Sequence, residues 1–135
     1  ASSDGAWLYI GGWGTQSLIR ISRGRSPVEV ESADVGFHID NVRFAPDGSV
    51  LAAGHVGPTA DSIFRCLRQG ECDGLQSRVA RVDPESLVVD QLVGYPSNET
   101  FILGTVALEV DDELWIGGIG GSDRILRFQT SSLPR

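Results

Sequence analysis

Two histidines, an Asp-Asn pair and two cysteines are the residues of this chain whose chemistry reaches beyond packing. His38 and His55 flank a short β-prone stretch. Imidazole titrates near neutrality, which suits it to proton transfer or substrate contact; a rim histidine satisfied by water is the plain alternative. Asp40-Asn41 stands immediately before the run Val42-Arg43-Phe44. It reads either as two oxygen-bearing side chains facing a site or as a polar turn leading into a strand. Cys66 and Cys72 sit six apart in a polar, Gly-containing segment with no nearby histidine pattern. That makes a poor zinc site; a local disulfide is the preferred reading, with two reduced loop cysteines as the alternative. A disulfide implies an oxidising compartment, so the chain is expected to be secreted or periplasmic.

Other chemistries lack their residues. All 11 basic residues are arginine, so no lysine is present for a Schiff base. Gly-x-Ser-x-Gly is absent, which leaves a serine-nucleophile mechanism without its motif. The glycines at 117, 118, 120 and 121 lie between strand-like runs with no helix after them, so phosphate binding is not expected. A net charge of −7 argues against nucleic acid and anionic membranes as partners. No apolar run approaches the roughly 18 residues of a membrane span. Asn98-Glu99-Thr100 matches a glycosylation sequon, a pattern short enough to arise by chance.

The elements that would position these residues show up as a repeat. The runs Leu8-Tyr9-Ile10-Gly11-Gly12, Leu51-Ala52-Ala53-Gly54-His55 and Leu114-Trp115-Ile116-Gly117-Gly118 each follow an acidic turn. A second motif carries an arginine in one slot: Leu18-Ile19-Arg20-Ile21, Val79-Ala80-Arg81-Val82 and Ile125-Leu126-Arg127-Phe128. Third strands are expected at Val28-Glu29-Val30 and Leu87 to Val93, and leading strands at Val42-Arg43-Phe44 and Thr105 to Val110. Lettered from the innermost, the order is B-C-D, A-B-C-D, A-B-C. The expected fold is therefore all-β: a propeller arc of about three blades over 1–36, 37–95 and 96–135, with an insertion at 56–76 in the middle one. An arc opened in mid-blade leaves strand edges unpaired, which predicts neighbouring strands before Ala1.

In a propeller the D-to-A and B-to-C connections emerge at one end. Strand order thus gathers the segment 37–41, the insertion after His55, and the connections 11–17, 97–105 and 117–123 around one mouth. The tryptophans Trp7, Trp13 and Trp115 are expected to be core, Trp13 being nearest that mouth.

The stretch Phe37-His38-Ile39-Asp40-Asn41-Val42-Arg43-Phe44-Ala45-Pro46-Asp47-Gly48, followed by Leu51 to His55, resembles the gluconolactonase, luciferin-regenerating-enzyme and senescence-marker superfamily. It is also similar to the paraoxonases. Gly104-Thr105-Val106-Ala107 followed by Glu113-Leu114-Trp115-Ile116-Gly117 looks like the last blade of those proteins. The resemblance implies the C-terminal half of a six-bladed, calcium-dependent hydrolase of lactones or esters, with the N-terminal half of the same propeller as partner. It implies that Asp40 and Asn41 bind the metal, calcium or another divalent cation, and that Asp40 acts as general base. It further implies that His55 is catalytic or lines the substrate pocket, with His38 and Thr105 beside it. Ile39 departs from the family's usual proline, and the remaining family ligands fall outside this chain. A non-catalytic propeller binding a small ligand or protein at the same mouth is the other function class considered.

Overall fold

The computed structural model describes residues 1–119 and 123–134. Gly120 and Gly121 of the glycine cluster, and Ser122 of the last connection, lie outside the described residues. Strands dominate, arranged as three antiparallel sheets in which neighbours in the chain are neighbours in space. Sheet I holds β1 (Trp7–Gly12), β2 (Ser17–Ser22) and β3 (Val30–Asp34). Sheet II holds β4 (His38–Phe44), β5 (Val50–Val56), β6 (Gln76–Val82) and β7 (Val89–Pro96). Sheet III holds β8 (Gly104–Val110), β9 (Glu113–Gly118) and β10 (Ile125–Gln129). The all-β expectation and the three-four-three grouping of strands both hold.

Alternation explains the packing. One face of sheet II turns Val50, Ala52, Ala80 and Val82 onto Leu18, Val35 and Phe37 of the sheet I side. The opposite face turns Leu51, Ala53 and Val79 onto Ala107, Leu114 and Ile116 of sheet III. Both faces of the middle sheet are thus dry along β5, which is why β5 reads as a continuous apolar run rather than an alternating one. Each buried Val, Leu, Ile or Phe among them contributes roughly 1.5–3 kcal/mol of transfer free energy on burial. The outer faces of the flanking sheets stay open: Leu8, Ile10 and Val30 on sheet I, Leu108 and Ile125 on sheet III, are all exposed.

The register corrects the middle copy of the first motif by one position. Arg20 pairs with Tyr9, Arg127 with Trp115, and Arg81 with Leu51. Val50, not Leu51, is therefore the residue equivalent to Leu8 and Leu114, and Gly54 is equivalent to Gly12 and Gly118. The repeated arginine slot has a purpose. Arg20 donates to the main-chain oxygens of Pro84 and Glu85 in the β6–β7 turn, tying sheet I to sheet II. Arg81 bonds Glu109 of β8 and Asp47, tying sheet II to sheet III. Arg127 pairs with Glu113 of its own sheet and remains 58% exposed.

Three other boundaries moved. β3 starts at Val30, because Ser22 closes the preceding turn through main-chain and hydroxyl bonds to Glu29. β7 starts at Val89, because Leu87 adopts a left-handed φ of 57° that no strand accommodates. The insertion holds a helix, α1 (Ala60–Gln69), where only a pinned loop was expected. Thr59 and Ser62 form a reciprocal capping box, and Gly70 ends the helix in the left-handed conformation at φ 76°. Ile63 and Cys66, on one face, are buried against Leu75 and Leu103. Cys66 and Cys72 form the expected disulfide.

Candidate functional site

Two edge strands, β4 of sheet II and β8 of sheet III, carry the same irregularity at the same place. In β4 the pairing with β5 skips Asp40, between Ile39 opposite Gly54 and Asn41 opposite Ala53. In β8 the pairing with β9 skips Thr105, between Gly104 opposite Gly118 and Val106 opposite Gly117. Asp40 and Thr105 are thus equivalent residues, each the extra residue of a β-bulge. A bulge re-aims the side chains around it and is frequent beside functional sites. The two bulges touch: the Asn41 side-chain nitrogen donates to the Thr105 carbonyl at 2.9 Å.

Glycine makes the first bulge possible. A Cβ at Gly54 would lie 1.9 Å from the His38 carbonyl oxygen and 3.1 Å from the Asp40 nitrogen, so only hydrogen fits there. Asp40 and Asn41 are exposed, while Thr105 is half-buried. Among the described residues the Asp40 carboxylate forms no hydrogen bond or ion pair, which leaves both oxygens available.

The histidines are placed differently. They are register partners across β4 and β5, and both are buried, His38 at 8% and His55 at 5% exposure. Trp13, in the β1–β2 turn, joins them. Its ring stacks on His38 with centroids 4.2 Å apart and planes 26° apart. Its indole nitrogen donates to Nε2 of His55 at 3.3 Å. Its main-chain oxygen accepts from Nδ1 of His38 at 2.7 Å, and Gln16 contacts Nε2 of the same ring at 3.2 Å. Nδ1 of His55 is buried and has no partner at hydrogen-bonding geometry among the described residues. Burial pushes the His55 pKa below the usual histidine value; the Asp40 carboxylate and the Gly104 backbone oppose that shift, and His38 adds to it.

The insertion helix covers this end. Phe64 of α1 sits 5.7 Å from the Trp13 ring and is 43% exposed. Trp13 also packs on the cluster of Ile63, Cys66, Leu75 and Leu103. The start of β8 is fixed from below, where the Gly104 N–H donates to the buried hydroxyl of Ser77 at 2.7 Å. His38, Asp40, Asn41, His55 and Thr105 therefore all lie on or beside the ends of β4, β5 and β8, with the insertion at the same end. Within that group Asp40, Asn41 and Thr105 form the accessible part, and the two histidines form the wall behind it.

Sequence reasoning placed Trp13 in the core and did not single out Gln16 or Phe64. The signal available for Trp13 was its position one residue past a repeated strand, in a connection bound for the histidine end. Among the described residues no group of three or more His, Cys, Asp or Glu is arranged to hold a metal ion. No described helix is long and apolar enough to cross a membrane. No protein-family model, curated protein or solved structure matches this chain.

Proposed function

We propose that this chain is the C-terminal arc of a six-bladed β-propeller hydrolase that opens lactones or esters with the help of calcium or another divalent cation. The observation carrying this reading is the pair of equivalent bulges at Asp40 and Thr105, linked through Asn41. They bring a free carboxylate and an amide side chain to the converging ends of two inner strands. Calcium takes oxygen ligands, and this donor set is all oxygen on the carboxylate side, with the amide nitrogen turned away onto Thr105. The chain supplies two of the six to eight ligands such an ion takes, so the residues fit as part of a site. The remaining ligands come from the N-terminal half of the same propeller, and the open apolar faces of sheets I and III are where neighbouring blades belong.

A bound cation would polarise the substrate carbonyl and stabilise charge developing on its oxygen. Asp40, which forms no hydrogen bond or ion pair among the described residues, would take the proton of the attacking water. Thr105 and Asn41 border the carbonyl's position. His38 and His55 shape the wall of the pocket and exclude water from it. The disulfide and the absence of a spanning helix among the described residues are compatible with a secreted or periplasmic protein.

The test is hydrolysis of lactone and aryl-ester substrates by the protein assembled with its neighbouring blades, with and without a calcium chelator. Activity that needs the cation and vanishes in Asp40→Ala supports the assignment; turnover indifferent to Asp40→Ala overturns it. A second reading, a binding propeller without turnover, is favoured by one observation: three of the four imidazole nitrogens already engage protein groups. Saturable ligand binding with no hydrolysis across the substrate panel would select it.

A further inference from the structure

Trp13 touches both histidines with its ring, its indole nitrogen and its main-chain oxygen, and the polar contacts have a chemical consequence. An indole N–H can only donate. Its bond to Nε2 of His55 therefore requires that nitrogen to be unprotonated, which puts the ring proton of neutral His55 on Nδ1. A carbonyl oxygen can only accept, so the bond from His38 to the Trp13 oxygen puts that ring's proton on Nδ1 as well. The stacked indole then fixes the plane of His38, and the same ring packs at a tilt against Phe64 of the insertion helix.

We propose that Trp13 is the positioning residue of this mouth: its side chain and main chain together lock both histidines in the Nδ1–H tautomer and occupy the one His55 nitrogen that could accept a proton. In that state His55 cannot serve as the general base, and water activation falls to Asp40 alone. This division of labour rests on the hydrolase reading, whereas the tautomer lock itself does not. The same residue connects α1 to the histidine wall, through Phe64 on one side and His38 on the other.

The experiment is nitrogen-15 NMR on the 135-residue chain, reading the histidine tautomers from two-bond nitrogen–proton correlations at a pH where both rings are neutral. The wild type is expected to show His55 as a single tautomer with an unprotonated Nε2, and a scalar coupling across the hydrogen bond from the Trp13 indole nitrogen. Trp13→Phe keeps a ring for stacking and removes the donor. It is expected to turn His55 into a mixture of tautomers while His38, held by the unchanged main-chain oxygen, stays as it was. A purely structural Trp13 would lower stability without changing the tautomer. A protonated Nε2 in the wild type, or an unchanged His55 tautomer in Trp13→Phe, overturns the proposal. If Trp13→Phe fails to fold, the coupling in the wild type decides alone. None of these readouts involves calcium or an ester, so an inactive protein with the expected tautomers would sink the hydrolase reading and leave the lock standing.

Discussion

Asn41 donates its side-chain amide to the main-chain oxygen of Thr105, and so bolts the bulge of β4 to the bulge of β8. The bond also decides the amide's orientation, because the nitrogen is committed and the oxygen is left over. Replacing Asn41 with alanine removes a hydrogen bond worth about 1 kcal/mol at a partly solvated site. The expected result is a small loss in denaturant midpoint. In the assembled protein it is accompanied by a clear loss of calcium affinity measured by calorimetry. Equal calcium affinity in the variant and the wild type would remove Asn41 from the ligand set.

Asp40 is exposed and has no ion-pair or hydrogen-bond partner among the described residues, so its removal is expected to leave the fold almost untouched. Surface changes away from special features usually stay within about 0.5 kcal/mol. Asp40→Asn keeps the shape and one oxygen but loses the charge and, on the proposed hydrolase reading, the base. It should retain the wild-type thermal midpoint while turnover falls by about 10²-fold or more, the span usual for a lost general base. A variant that loses activity and unfolds together would point to a structural part instead.

Gly54 faces the carbonyl of His38 across a gap that admits no carbon atom. Gly54→Ala must push the β4 main chain away or flatten its bulge, and either course moves Asp40. A cost of at least ~2 kcal/mol is expected, placing the substitution among the strongly destabilising ones. Gly36→Ala is the contrast. That site has open space, but its φ of +74° disfavours any side chain, so the cost there is about 1 kcal/mol and comes from the backbone alone. Urea titrations of the two variants should rank them in that order.

The parts of this architecture that the sequence revealed are those written in repeated side chains. The arginine slot at 20, 81 and 127 fixed the strand order, and it also served as the ruler that shows Val50 in the slot of Leu8. Leu51 misled because the middle sheet is dry on both faces, so the alternation that marks phase elsewhere is missing from β5. The bulge at Asp40 was invisible as a bulge, since one extra residue leaves no compositional mark. Its companion at Thr105 becomes informative only when two registers are compared. The helix was written in Thr59, Ser62 and Gly70, a cap at each end, but its ten residues lay within a segment whose cysteines drew attention to a loop. Trp13 was legible as apolar and near the mouth. Its bond to His55 joins residues 42 apart in sequence, and no local pattern announces such a contact.

Cys66 closes a short loop at the end of α1 and is itself buried beside Leu75 and Leu103. In the loop-entropy account, so short a bridge stabilises by about 2 kcal/mol. Cys72→Ser is therefore expected to lower stability by about that amount under oxidising conditions. Adding reductant should do the same to the wild type and nothing further to the variant. Far-ultraviolet circular dichroism would register the loss of helix if α1 depends on the bridge. The three sheets, held by the two cores on either face of sheet II, should keep their β signal.

His55 provides the clearest dependence on pH. Its pKa lies below the ordinary histidine value because burial penalises the charged ring, and the nearby Asp40 carboxylate only partly offsets that. The unfolded chain therefore binds the proton more readily than the native one. Stability is fully present above the unfolded value of about 6.5 and is lost as pH falls from there toward the lower native value. Protonation would also place a second N–H against the Trp13 indole donor, so charging the ring breaks that bond. Denaturant midpoints measured between about pH 7.5 and pH 5 should decline through this window. His55→Gln, which cannot titrate, should remove most of the decline while lowering the plateau. A wild-type midpoint that rises on acidification over the same range would contradict a neutral, buried His55 and the packing that holds it so.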